Sequence, residues 1–371
     1  MFLYWGRRGL TQFALEVGRA AITAPDISAS LSVSRQNEDF RAFGELGPAL
    51  FPIDTFESNV GAVLQAWRIP LLQRQLAAKL RGDRTQAVIE LMPHVWSWPM
   101  ASTIRAAGAR HVIVVHDADA HPGDHRTLSV KYVLDRAMLE ADLLLTLSEA
   151  VAGRLIARGA TTRDKLYTLF HPDLCFGMAS VREAPARGQP VRLLFMGRIM
   201  SYKALPLFLD VADNLRDQGI AVEVGVFGEG QLGDCARRLS AMRAEVVNRW
   251  LTASEIAAIL PRYHVMVLSH IEASQSGMAA VALGAGMPVV AAPIGGIIEQ
   301  IRHGQNGMLA LTADAPALAD AVKALLLDPA LYRAISQNIS ATKAERSMNR
   351  FVEECVSHAL GAGAAPGRGK K

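Results

Sequence analysis

The chain has 371 residues, more than one hydrophobic core normally serves, so two domains are expected. Half of the residues are hydrophobic and a fifth are charged, which is typical of a folded α/β protein and excludes long disorder. The net charge of +4 is small for a nucleic-acid-binding protein, but it favours anionic phosphates or an anionic membrane surface. The three cysteines, Cys175, Cys235 and Cys355, lie far apart, which favours a reducing cytoplasm over a disulfide framework or a zinc site.

Short β-rich runs alternate with helical patterns along the first half of the chain. The runs are FLYW (2–5), ISASLSV (27–33), AVIEL (87–91), HVIVV (111–115) and DLLLTLS (142–148). Strands that alternate with helices predict a parallel sheet with right-handed crossovers. The apolar run at the N-terminus is shorter than that of a secretory signal, so no export segment is expected.

A polar segment, REAPARGQP (182–190), predicts a linker, and the same pattern restarts after it. VRLLFMG (191–197) is a predicted strand and 205–219 a predicted helix. AVEVGVFGEG, AEVVNRW, VMVLS and PVVAA supply further predicted strands. We therefore predict two doubly wound, parallel-sheet domains, 1–185 and 186–345, that face each other across a cleft. The final helix at 346–360 can pack back on the first domain, and the tail 361–371 is predicted to be disordered.

The uncharged stretch 273–298 is long enough to span a bilayer, which makes a transmembrane helix one alternative. Its interior contains Gly284, Gly286, Pro288, Pro293, Gly295 and Gly296, and breaks at these residues would expose backbone groups that lipid cannot satisfy. A buried helix, a turn and a buried strand are therefore the preferred interpretation.

Two groups of residues in the second half have the chemistry of a phosphate site. Arg198 and Lys203, in GRIMSYK after a predicted strand, can reach one polyanion, although two solvated cations are the alternative. Ser276 and Gly277 begin a short helix whose first amides can hold phosphate. Glu272, at a predicted strand end upstream of that helix, can accept hydrogen bonds from hydroxyl groups, or it is a plain surface acid.

A series of motifs in 190–312 resembles, in order and spacing, the nucleotide-binding domain of glycosyltransferase family 4 (glycosyl transferases group 1). The motifs are GRxxxxK, GEG at 228–230, Glu272 with its turn, GxPVV at 286–290, IGGIIEQI at 294–301 and GQNGMLA at 304–310. The first domain matches more weakly, through GRRG near the start, VVHD (114–117) and LSEAVAGRLIARGA (147–160). The resemblance implies the GT-B fold of two Rossmann-like domains and a retaining transfer of sugar from a nucleotide-sugar.

The resemblance also implies roles for individual residues. Arg198 and Lys203 would neutralise the donor diphosphate, the backbone of Ser276, Gly277 and Met278 would cradle it, and Glu272 would lie near the donor sugar. The sequence departs from the family at Val281, which stands where the family has a second glutamate that grips the ribose. Because of this departure, the sequence does not predict which base the donor nucleotide carries.

The polar cluster HDADAHPGDH (116–125) permits three interpretations. It offers histidines and aspartates for a metal, it can be a solvated loop, or, as in the family, His116 ends a strand and contacts the transferred sugar. The last is preferred, and no metal is expected. Two weaker candidates are Gly9, whose backbone can approach the β-phosphate, and Trp250, which lies where the family holds the base but can equally be a core residue.

The segment 67–84 places Arg68, Arg74, Lys79, Arg81 and Arg84 among leucines, and Arg7 and Arg8 add positive charge in the same domain. Such a helix can lie on anionic lipid, as would suit a lipid-linked acceptor, or it packs normally with a solvated face.

The sequence thus predicts a hexosyltransferase without a bound cofactor that uses a UDP- or GDP-linked donor and a glycan or lipid-linked glycan acceptor. It would act in the cytoplasm without nucleic acid as a partner, and peripheral contact with the inner face of an anionic membrane is one option for its location. Two alternatives are a degenerate GT-B protein that binds nucleotide or glycan without turnover and a GT-B sugar-nucleotide epimerase.

Overall fold

The computed structural model describes residues 1–119, 128–177 and 180–361 and divides the chain into two compact units. Of the described residues, unit 1 contains 1–118, 128–170 and 348–361, and unit 2 contains Asp119 and 171–347. The sequence placed the boundary at 185/186, whereas the structure groups 171–185 with unit 2. Arg182 in this segment donates hydrogen bonds to the carbonyl oxygens of Leu260, Tyr263 and Ala285, so it is part of the second core and not a free linker.

Unit 1 is built on a seven-stranded parallel sheet in the order β3-β2-β1-β4-β5-β6-β7. Its strands are β1 (Phe2–Tyr4), β2 (Leu31–Ser34), β3 (Leu50–Ile53), β4 (Ala87–Glu90), β5 (Arg110–Val115), β6 (Leu143–Thr146) and β7 (Leu166–Thr168). Its first helices are α1 (Thr11–Thr23), α2 (Asn59–Leu64), α3 (Ile69–Gly82), α4 (Ser97–Ala106), α5 (Leu128–Glu140) and α6 (Glu149–Ala157). The central strands are buried apolar runs because helices cover both faces of the sheet.

Unit 2 repeats the architecture with a six-stranded parallel sheet in the order β10-β9-β8-β11-β12-β13. The strands are β8 (Val191–Met196), β9 (Val222–Phe227), β10 (Glu245–Val247), β11 (Val265–Leu268), β12 (Val289–Ala291) and β13 (Gly307–Leu309). The helices are α7 (Leu205–Asp217), α8 (Cys235–Ala241), α9 (Ala253–Ile259), α10 (Gly277–Gly284), α11 (Ile297–Gln300), α12 (Ala315–Leu327) and α13 (Pro329–Ala341). Ligands of such sheets bind beyond the carboxyl ends of the strands where the strand order reverses, which here is between β8 and β11.

The last helix, α14 (Met348–Ala359), belongs to unit 1, where it packs on α1. Phe351 of α14 lies edge-on to Phe13 of α1 with ring centroids 5.5 Å apart. The Arg110 guanidinium donates to the carbonyl oxygen of Ala359 (2.8 Å) and so caps the carboxyl end of the helix. The tail predicted to be disordered lies, from 362 onward, outside the described residues.

The uncharged stretch 273–298 folds as predicted into the buried helix α10, a turn and the buried strand β12. Nowhere in the described part of the chain is a helix both long and apolar enough to span a bilayer.

Candidate functional site

Three loops lie side by side at the carboxyl ends of β8, β9 and β10. The amides of Gly197 and Ile199 donate to the carbonyl oxygens of Phe227 (2.9 Å) and Glu229 (2.8 Å). Gly230 in turn donates its amide to the side chain of Asn248 (3.0 Å). These bonds continue the sheet beyond its strands, so the loop that carries Arg198 has a fixed backbone.

The two glycines of the GEG motif are required by this close approach. A β-carbon on Gly228 would lie 2.1 Å from the carbonyl oxygen of Gly197, and one on Gly230 would lie 2.3 Å from that of Ile199. Both contacts are with backbone, which cannot move aside without breaking the loop pairing.

The turn Ser201–Lys203 is fixed to the end of β11. The Ser269 hydroxyl donates to the carbonyl oxygens of Lys203 (2.9 Å) and Ala204 (3.1 Å). The Ile271 amide donates to the carbonyl oxygen of Tyr202 (2.8 Å). Lys203 is half-buried, and desolvation, with a smaller contribution from the nearby Arg198 charge, lowers the pKa of its ammonium group to about 8. Arg198 itself is exposed.

Lys203 and the first turn of α10 meet over Gly197. A β-carbon placed on Gly197 would lie 2.8 Å from the Lys203 Nζ and 3.0 Å from the Cγ and Sδ atoms of Met278. The ammonium group is therefore beside the amino end of a helix, where the helix dipole also attracts negative charge. The structure brings Gly197, Lys203 and Met278 together in one corner of unit 2.

The amides of the α10 turn are only partly available. We expected the backbone of Ser276, Gly277 and Met278 to cradle phosphate. Instead, the Ser276 amide donates to the Gln300 side-chain oxygen (2.6 Å), and the Gln300 amide group donates back to the Ser276 carbonyl (3.2 Å). The Ser276 hydroxyl caps the helix by accepting from the Ala279 amide (3.3 Å).

Ser276 is thus a structural cap, which corrects the expectation for its amide. In the described part of the chain, the amides of Gly277 and Met278 have no hydrogen-bond acceptor. They remain the donors that a ligand can use.

Glu272 and Val281 lie on either side of this turn. Glu272 follows β11 and is half-buried, whereas Val281, one turn into α10, is 1% exposed and packs in the core. The second acid of the family is therefore replaced by a residue that belongs to the helix packing.

Trp250 follows β10 and is 40% exposed, so the core alternative for this residue is wrong. Its carbonyl oxygen accepts a hydrogen bond from the Arg249 side chain (3.0 Å), which also pairs with Glu255. Trp250 thus lies on a loop of unit 2 whose backbone is hydrogen-bonded, with its side chain partly exposed.

The unit 1 candidates lie at the carboxyl ends of β1 and β5. Gly9 has a φ of +86°, and its α-carbon faces open space, since a β-carbon added there would have no neighbouring atom within 4 Å. His116 follows β5, is buried, and donates from Nε2 to the Leu91 carbonyl oxygen (2.9 Å), with its ring edge-on to Phe13. Burial lowers the pKa of His116, so the ring is neutral at pH 7.

The metal alternative for the cluster 116–125 falls largely on residues 120–125, outside the described residues. Across 1–119, 128–177 and 180–361, no three His, Cys, Asp or Glu side chains are grouped so that they could hold a metal ion. The three cysteines are free thiols.

Sequence reasoning did not single out Ser269, Gln300 or Asn248, which fix the loops of the site. Gln300 lies in the motif IGGIIEQI, which supplied part of the family resemblance without an assigned role. Ser269 and Asn248 are short polar residues that directly follow strands, and this position is the sequence feature that could have identified them as loop-fixing residues.

Comparisons with known proteins show what the chain is similar to. Residues 190–328 match the family described as Glycosyl transferases group 1. The second unit is therefore similar to the domain that this family description covers. The chain is 29% identical over 313 residues to a glycogen synthase of Mycobacterium tuberculosis, an alignment that covers 75% of the chain and 70% of that relative. It is 25% identical over 241 residues to the amylovoran biosynthesis glycosyltransferase AmsK of Erwinia amylovora, covering 58% of the chain and 55% of AmsK.

Superposition on solved structures shows that the chain has the GT-B fold. HepE of Anabaena, in complex with UDP, superposes with a TM-score of 0.70 over 97% of this chain and 99% of HepE, at 14% identity. Sucrose-phosphate synthase of Thermosynechococcus elongatus gives a TM-score of 0.68 over 98% of this chain and 99% of that one, also at 14% identity.

Proposed function

We propose that the protein is a retaining hexosyltransferase that moves a sugar from a nucleoside-diphosphate donor to a hydroxyl group of a glycan or lipid-linked glycan. The observation that carries the proposal is the convergence of the Lys203 ammonium and the α10 amino terminus over Gly197. A cation, a helix dipole and two available amides in one corner suit a diphosphate better than any neutral ligand.

The donor is assigned to the UDP or GDP class. HepE has been solved with UDP and with UDP-glucose, which makes UDP the first candidate for this chain. In this assignment the exposed Trp250 ring stacks on the base. The backbone of Gly9, which has no side chain, approaches the β-phosphate. The chain itself needs no bound cofactor in this proposal.

Catalysis in this proposal consists of stabilising the leaving group. The acceptor oxygen forms a bond to the anomeric carbon on the face from which the phosphate oxygen departs, and the released diphosphate takes the acceptor proton. Arg198, Lys203 and the amides of Gly277 and Met278 offset the negative charge that grows on the diphosphate. Glu272 and the neutral His116 are assigned to sugar hydroxyl groups, which they would orient without becoming covalently attached.

A second candidate is a GT-B protein that binds nucleotide without turnover. Val281 favours it, because the core position of this residue leaves the ribose without the acid that the family uses. The three free thiols suit a reducing cytoplasm for either function.

Incubation with UDP- and GDP-sugars, followed by product analysis, tests the proposal. Free nucleotide plus sugar, or a glycosylated acceptor, supports a transferase; an isomerised sugar-nucleotide or an unchanged donor contradicts it.

Arg198→Ala and Lys203→Ala should each cost about 3 to 4 kcal/mol of transition-state stabilisation, as single oxyanion donors do. Arg237→Ala, an exposed cation on α8, is the matched control and should leave the rate unchanged. Activity within about twofold of wild type in either site variant would refute the assigned roles.

A further inference from the structure

Unit 1 exposes a row of large apolar side chains on consecutive helical turns. The row, here called the apolar stripe, consists of Val60, Val63, Leu64, Trp67 and Leu71, which are 68%, 76%, 71%, 71% and 54% exposed. Their spacing is that of one face of a helix. The backbone winds almost without interruption through this segment, since α2, the 3-10 turn Ala66–Arg68 and α3 follow one another.

The stripe is held outward by the packing of the same segment. Leu72, Leu76 and Leu80 of α3 are buried in the unit 1 core, and the indole nitrogen of Trp96 donates to the Ala62 carbonyl oxygen (3.2 Å). The inner face of the segment is thus already occupied. The apolar outer face is not part of that core.

The segment that carries the stripe is basic. Residues 57–84 contain five basic side chains and two acids, Glu57 and Asp83, and Asp83 pairs with Lys79 at 2.9 Å. The Arg68 guanidinium lies over the Trp67 ring, 5.5 Å from its centroid, and Arg74 is exposed one turn further along α3. An indole with arginines beside it and aliphatic side chains around it is typical of segments that lie in the interface of an anionic bilayer.

A second group of partly exposed aromatic side chains lies on the neighbouring helices α4 and α5. The Gln73 side chain of α3 donates to the Pro99 carbonyl oxygen of α4 (2.7 Å), next to Trp98. Trp98 is 36% exposed and lies edge-on to Tyr132 of α5, which is 59% exposed. The Arg136 guanidinium lies 5.7 Å from the centre of the Trp98 ring.

We propose that the apolar stripe inserts into the surface of a membrane that contains anionic lipids, with Arg68 and Arg74 bound to the lipid headgroups. This differs from the basic helix 67–84 that the sequence suggested. Leu72, Leu76 and Leu80 of α3 are core residues, and Arg7 and Arg8 pair with Glu38, so the apolar contact comes from 60–71 instead. The stripe contains no residue assigned to the donor, so membrane contact and catalysis can be tested separately.

Flotation of the full chain with vesicles tests the inference, using phosphatidylcholine alone and an equal mixture with phosphatidylglycerol. The wild type should bind the mixed vesicles, and Leu64→Ser/Trp67→Ser should weaken binding by about tenfold or more, because two large apolar side chains no longer leave water. Arg68→Glu/Arg74→Glu should weaken binding to the mixed vesicles only. The matched control is Leu311→Ser/Leu327→Ser in unit 2, at residues that are 93% and 70% exposed, and it should bind like wild type.

Thermal melting and donor hydrolysis in the absence of vesicles should be the same in both double serine variants and in the wild type. This readout separates loss of membrane contact from loss of catalysis. A wild type that floats with neither vesicle, or a Leu64→Ser/Trp67→Ser variant that floats as well as wild type, would overturn the inference. So would a dimer that forms without lipid and dissociates in this variant, because the stripe would then cover a second copy of the chain.

Discussion

The Nε atom of Arg346 lies 3.1 Å from each carboxylate oxygen of Asp173, and the Asp173 amide donates to the Arg346 carbonyl oxygen (2.8 Å). The same guanidinium also donates to the Ile339 carbonyl (2.9 Å) and to the Thr342 hydroxyl (2.6 Å). Unit 2 begins at 171 and ends at 347, so this pair joins its two ends. The Asp173 side chain is only 2% exposed, which makes the pair a buried one.

Arg346→Met should destabilise the protein by about 3 to 5 kcal/mol at pH 7.5, because it leaves a buried carboxylate without its cation. Thermal and denaturant unfolding measure this loss. Arg333→Met is the matched control, since its pair with Glu183 is 58% and 64% exposed and should contribute about 1 kcal/mol or less. Equal losses in the two variants would contradict the importance of burial.

The same pair predicts a pH dependence. Burial raises the pKa of Asp173 to about 6 despite the Arg346 charge. The folded state therefore holds this proton more tightly than the unfolded state, so the contribution of Asp173 to stability falls as pH rises from about 4 to about 6. The Arg346 charge lowers the pKa of Asp173, so its removal raises this pKa further and makes the ionised carboxylate less favourable in the folded state. The melting temperature of Arg346→Met should thus recover toward wild type between pH 7.5 and pH 5, and a constant gap would contradict this account.

Diphosphate affinity should fall as pH rises through about 8, because Lys203 loses its proton there and with it the charge that attracts phosphate. Calorimetric titration of UDP and GDP across this range measures the effect. Lys203→Arg keeps its charge at every pH used, so its affinity should lack this step. The same step in both proteins would assign the titration to another group.

Gly228→Ala should disturb the loop that carries Arg198, because the new methyl group would overlap the Gly197 carbonyl oxygen. We expect a loss of about 1 to 3 kcal/mol in stability and weaker nucleotide binding. Gly153→Ala on α6 is the matched control, since nothing lies within 4 Å of its added methyl group. That change should be neutral or should stabilise by up to about 1 kcal/mol. Normal nucleotide affinity in Gly228→Ala would show that the loop tolerates displacement.

Val281→Glu should not restore the second acid of the family. Val281 is 1% exposed, so the new carboxylate would be buried without a partner. Val281→Ala should lower the free energy of unfolding by about 2 kcal/mol, and Val281→Glu should lower it further. Denaturant unfolding of both variants decides this. A stable Val281→Glu with tighter nucleotide binding would show that the helix can present this residue to the ribose.

The sequence predicted the central strands and the edge strand β10, but it did not predict β3, β7 or β13. β1, β4, β5, β6 and the first strands of unit 2 are buried apolar runs, which carry a strong local signal. β3 contains Pro52 and lies at the sheet edge, where the missing amide donor of a proline is tolerated. β7 and β13 have three residues each and are defined by their neighbours, not by their own composition.

Within the site, the residue types were predictable but their partners were not. The family resemblance implied that Lys203 and the α10 turn bind the same diphosphate, and in the structure both lie beside Gly197. The bond from the Ser276 amide to Gln300 joins residues far apart in the chain, so no local pattern could reveal it. The exposure of Trp250 and of the apolar stripe likewise depends on which faces the rest of each unit covers.

The most direct test of the central claim compares the affinities of the wild type and of Lys203→Ala for a nucleoside diphosphate and for the matching monophosphate. If Lys203 and the amides of Gly277 and Met278 hold the second phosphate, the wild type should prefer the diphosphate by about tenfold or more, and Lys203→Ala should lose most of that preference. An undiminished preference in the variant would contradict the proposed diphosphate site.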